Sequence, residues 1–84
     1  MDNQQVSAAL AEVGTLMELL GENPFKVNAY VNASRTISQL TDEIASHVNK
    51  GTLGEIAGIG ATLQEKITSL VKTGKLEFLE ELRA

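Results

Sequence analysis

The chain has 84 residues, no cysteine, one histidine, and seven basic against eleven acidic side chains, for a net charge of −4. That allows a single small domain and excludes disulfides and thiolate metal sites, and the lone His47 argues against zinc. The charge balance alone argues against a strongly electrostatic nucleic-acid binder. Hydrophobic residues at 43% describe a folded chain, and no apolar run reaches the ~20 residues of a membrane span. The polar start Met1-Asp2-Asn3-Gln4-Gln5 does not read as a leader, so the expected location is the cytoplasm, with no membrane partner.

From Asn3 to Leu20 the apolar residues Val6, Ala9, Leu10, Val13, Leu16, Met17 and Leu20 recur at the helical period and form one stripe. Asp2 or Asn3 caps this first helix, Gly14 sits inside it, and Gly21 stops it. Asn23-Pro24 opens a second helix, a capping side chain before a proline at the first helical position, running to about Leu40 with Tyr30, Ala33, Ile37 and Leu40 on one face. Thr41-Asp42-Glu43 predicts a third start, with the threonine hydroxyl as cap, for a short helix that Lys50-Gly51 closes. Thr52 is expected to cap one further turn, Leu53 to Ile56. After Ala57-Gly58-Ile59-Gly60, a helix runs from Ala61 to Thr73 with Leu63, Ile67, Leu70 and Val71 on its apolar face, and Gly74 ends it. Lys75 to Leu82 reads as a last helical turn or two. No stretch alternates at period two, so the fold class is all-α, a compact bundle of four to five short helices.

The segment Leu53 to Ile67 carries the functional signal. Two glycines around one apolar residue allow positive φ and leave the main chain uncovered. The turn opens into a helix N-terminus, where free N–H groups and the positive dipole end favour one phosphate without side-chain charge. The amides of Gly58, Gly60, Ala61 and Thr62 are placed for that contact, and Ile59 would pin the turn to the core. Carbonyls on the other side, those of Gly54, Ile56 and Ile59, are candidates for a monovalent cation such as sodium or potassium. Taken alone, a Gly-x-Gly turn is a weak signal, since most such turns are plain corners between helices. Lys66 falls on the flank of its helix's apolar face, where a lysine lays its stem on the core; that suits an amine with altered reactivity or an ordinary snorkelling side chain. Lys26 and Tyr30 share a face four residues apart, as candidate ligand contacts or as a solvated charge beside a core-edge ring.

Short helix, Gly-apolar-Gly, amphipathic helix and a Thr-Gly-Lys-Leu tail look like a helix-hairpin-helix, a sequence-independent binder of the DNA backbone. Three stretches extend the likeness: Leu19 to Tyr30, Ile56 to Gly60, and Gln64 through Leu76. Together they resemble the amino-terminal domain of X-family DNA polymerases, the bacterial branch in particular. The resemblance implies that residues 1–84 are one domain excised from a longer polymerase chain, monomeric and cytoplasmic, acting in repair. It would grip the 5′-phosphate of gapped or nicked DNA, with no required cofactor. It further implies 5′-deoxyribose phosphate lyase chemistry through a Lys66 Schiff base, with Lys26 and Tyr30 near the phosphate and sugar. Lys72 and Lys75 add local positive charge along the backbone path. Val31, Asn32, Thr62, Glu77 and Phe78 stand where such domains often carry basic residues, so the expected binding is weak and salt-sensitive. Polymerisation itself is not expected of these residues, which show no paired-carboxylate site for metal-assisted nucleotidyl transfer. The alternative from another class is a helical protein-interaction domain that has lost DNA binding, as the acidic Glu77, Glu80 and Glu81 would suit.

Overall fold

The computed structural model describes residues 1–84 as five α-helices and one 3₁₀ turn, with no strand. The helices are α1 (Asn3–Leu19), α2 (Pro24–Ser38), α3 (Ile44–Lys50), α4 (Ala61–Thr73) and α5 (Glu77–Arg83), and the 3₁₀ turn is Leu53–Glu55. No helix is long and apolar enough to cross a membrane. The apolar stripes meet in one core containing Val6, Leu10, Val13, Ile37, Ile44, Ile67 and Leu70, all essentially without solvent exposure. The helical bundle read from the sequence is the fold observed.

α1 and α2 form the main layer as an antiparallel pair. Asp2 starts α1 with a capping box: its carboxylate accepts the Gln5 N–H at 2.8 Å, and the Asp2 N–H donates to Gln5 Oε1 at 2.9 Å. Asn23 caps α2 by accepting the Phe25 N–H at 2.8 Å, with Pro24 at the first helical position. Between the two helices the Ser7 hydroxyl donates to the Ser34 carbonyl at 2.8 Å, and the Ser34 hydroxyl donates to the Ser7 carbonyl at 2.7 Å. Both serines are buried, and small side chains are what allow this approach. Gly14 serves the same seam: a Cβ there would lie 3.2 Å from Val31 Cγ2.

Four expectations need correction. The stripe on α1 stops at Met17, since Leu20 is 63% exposed past the end of the helix. α2 ends at Ser38, leaving Leu40 outside it. Thr41 does not cap α3, whose first N–H, that of Ile44, is accepted by Asn3 Oδ1 at 2.7 Å from across the fold. The Thr52 hydroxyl does not cap the 3₁₀ turn; it pairs with His47 Nδ1 at 2.8 Å and ties the turn to α3. At α3 a partner 41 residues away took the place of the local cap, and at Thr52 a histidine five residues back took the hydroxyl.

α5 begins at Glu77 and folds back across α1. Leu76 and Leu79 anchor it in the core. Arg83 then forms a two-pronged ion pair with Glu12, Nε to Oε2 at 2.6 Å and Nη2 to Oε1 at 2.7 Å. This bond lowers the Glu12 carboxyl below its ordinary value.

Candidate nucleic-acid interface

The hairpin turn is built by one glycine in the left-handed region and one that is extended. Gly58 has φ +84°, a conformation that L side chains rarely adopt. Gly60 was expected to share that freedom and does not: at φ −79° and ψ 178° it is extended, as the residue preceding a helix usually is. Its lack of a side chain matters for space, because a Cβ at Gly60 would meet nothing within 4 Å. Ile59 between them is buried and pins the turn to the core, as expected. No side chain caps α4, so the N–H groups of its first turn, on exposed Ala61 and Thr62, are left to solvent or a ligand.

These amides open onto a groove of about 800 Å³. The turn and α4 supply Gly58, Gly60, Ala61, Thr62 and half-buried Lys66 to one wall. α2 supplies Phe25, Lys26, Ala29 and Tyr30 to another. Met17 of α1, together with Phe78 and Leu82 of α5, provides apolar surface, and Glu22 stands at the α1–α2 turn. Lys26 and Lys66 thus outnumber the one acid lining the groove, although the whole chain is acidic. Burial raises the Tyr30 hydroxyl above its ordinary value of 10.0.

Of the residues singled out in the sequence, Gly58, Gly60, Ala61, Thr62, Lys26, Tyr30 and Lys66 come together here. Lys72 and Lys75 do not: both are exposed near the far end of α4, outside the groove. The carbonyl side of the turn is engaged in part. The Ile56 carbonyl accepts the Ile59 N–H at 3.2 Å, and the Ile59 carbonyl accepts Gln64 Nε2 at 3.3 Å. Each of these carbonyl oxygens keeps a second lone pair.

Two aromatic residues were missed as groove residues. Phe25 is 85% exposed at the rim. Phe78 lies over the groove between two partners: its ring centroid is 6.3 Å from that of Tyr30, at a 32° tilt, and 4.8 Å from Lys66 Nζ. The four-residue spacing of Phe78 and Leu82 was the available signal for a shared face, but it does not say which helix that face meets. A second concavity of about 470 Å³ is lined only by polar and charged residues, including Asp42, His47 and Glu55, and no three such side chains converge to hold a metal ion.

The family model described as helix-hairpin-helix domain matches residues 1–76. No curated protein matches the chain.

Proposed function

The chain belongs to the helix-hairpin-helix domain family, and from that premise we propose that it grips the 5′-phosphate and adjoining backbone of gapped or nicked DNA. Domains of this family commonly bind DNA without sequence specificity. The observation that carries the finer reading is the convergence of an uncapped α4 N-terminus with Lys26, Lys66 and Tyr30 on one groove. Backbone N–H groups at a helix start suit a terminal phosphate, and two lysines neutralise its charge. The resemblance to X-family polymerases supplies the setting: a monomeric DNA-binding module of such a polymerase, in base-excision-type repair in a bacterial cytoplasm. A sodium or potassium ion on the carbonyls of Gly54, Ile56 and Ile59 would fix the turn from behind. The test is binding at low salt to a gapped duplex bearing a 5′-phosphate, against the same duplex with a 5′-hydroxyl. Tighter binding of the phosphorylated end is expected, and equal binding sinks the reading.

The position of Lys66 favours a second activity at the same site. It is half-buried in the groove, within the space a 5′-sugar phosphate would enter. A 5′-deoxyribose phosphate lyase needs such an amine: neutral Nζ adds to the C1′ aldehyde and water leaves. The imine acidifies C2′–H, a base takes that proton, and the C3′–O bond breaks with the downstream 5′-phosphate as leaving group. Water then hydrolyses the imine to free the lysine. Borohydride trapping on DNA carrying an incised abasic site tests this. A covalent adduct lost in Lys66→Ala supports it; no adduct, or one undiminished in the variant, removes it.

A further inference from the structure

Lys66 lies four residues after Thr62, so the two share a face of α4. Helical side chains lean toward the N-terminus, which carries the Lys66 ammonium toward the uncapped first turn. A lysine head on a four-carbon stem does not hold such a position unaided, and here its neighbour is the Phe78 ring at 4.8 Å. A ring face carries negative charge density and attracts an ammonium. The ring is itself fixed. Leu76 and Leu79 are buried on either side of it in sequence, and Tyr30, 6% exposed, lies against it. Arg83 further ties α5 to α1.

We infer that Phe78 is a positioning residue whose ring holds the Lys66 ammonium over the groove, aimed at the phosphate that the first turn of α4 binds. The inference rests on the 5′-phosphate reading and adds to it the device that places the cation. A cation–π contact of this kind is worth roughly a two- to five-fold change in affinity.

The experiment is a double-mutant cycle with Phe78→Leu and Lys66→Met, read as the affinity advantage of a 5′-phosphorylated over a 5′-hydroxyl gapped duplex. Phe78→Tyr tests rescue, and Phe78→Met replaces Phe78→Leu should circular dichroism show the latter unfolded. NMR of the Lys66 ε-methylene protons gives a second readout, because a ring beneath them shifts them upfield. The phosphate advantage should fall about two- to five-fold in Phe78→Leu, persist in Phe78→Tyr, and show no further loss on adding Phe78→Leu to Lys66→Met. The upfield shift should vanish in Phe78→Leu and remain in Phe78→Tyr. An equal loss in the Lys66→Met background, or no loss at all, overturns the inference. Should the wild-type chain bind both duplexes equally while the shift is present, the 5′-phosphate reading falls and the ring–ammonium pair stands. A wild-type spectrum without the shift overturns the inference whatever the DNA does.

Discussion

Gly60 separates two sources of DNA affinity that are usually entangled. Its backbone is relaxed and the space beside its Cα is empty, so a side chain there intrudes on a ligand before it intrudes on the protein. Gly60→Val is expected to weaken duplex binding several-fold, while Lys72→Ala, outside the groove, changes it by less than about two-fold. Fluorescence anisotropy on one gapped duplex checks both, and equal effects would count against close backbone approach. The valine costs up to about 1 kcal/mol as a poorer helix cap, which a melting curve measures separately. Gly58→Ala should behave differently, losing about 1 kcal/mol or more of stability because φ +84° strains any L residue. At the α1–α2 seam, Ser7→Ala removes one donor to a buried carbonyl and the 2.9 Å contact between the two hydroxyls, leaving Ser34 Oγ only the Ser7 carbonyl. A loss of about 1–2 kcal/mol in urea denaturation is expected.

At the level of elements, α5 is the piece whose attachment is expected to depend on pH. The Arg83 guanidinium lowers the Glu12 carboxyl below its ordinary 4.5. The native state therefore holds this proton less tightly than the unfolded chain does, and folding gains from the pair above 4.5. That gain is lost as the pH falls through the lower folded value. Amide exchange in α5 should quicken over that acid range and with added salt, and Glu12→Gln should abolish the acid step. Unchanged α5 protection through the range would refute this dependence. The same helix shows where sequence reading ends. α1, α2 and α4 were legible from local signals: apolar residues at the helical period mark all three, Asp2 and Asn23 cap α1 and α2, and Gly21 and Gly74 stop α1 and α4. The Arg83–Glu12 pair joins residues 71 apart and the Asn3 cap of α3 joins residues 41 apart, so neither has a local signature. In the site, the turn, Lys26, Tyr30 and Lys66 were found through spacing and likeness. Phe78 was not, because its role depends on how α5 packs back over α4 and α2.

For the whole molecule, which measures 35 × 24 × 20 Å, the paradox is an acidic protein read as a DNA binder. The groove resolves it locally, with Lys26 and Lys66 inside and most of the carboxylates elsewhere. If these two lysines make the phosphate contacts, the slope of log affinity against log salt should be about −2. A slope near −4 would mean that Lys72 and Lys75 also reach the backbone, and that the ligand path continues beyond the groove. Long-range repulsion from the net charge of −4 should slow encounter without altering that count.

The reciprocal serine clasp holds α1 and α2 in one register. Sliding either helix by a turn would break both hydroxyl–carbonyl bonds at once, inside a seam where both serines are buried. Because these helices carry Met17, Lys26, Ala29 and Tyr30, the clasp also fixes the backbone beneath that part of the groove. A guest then meets little ordering penalty, but it also finds little tolerance for an ill-fitting shape.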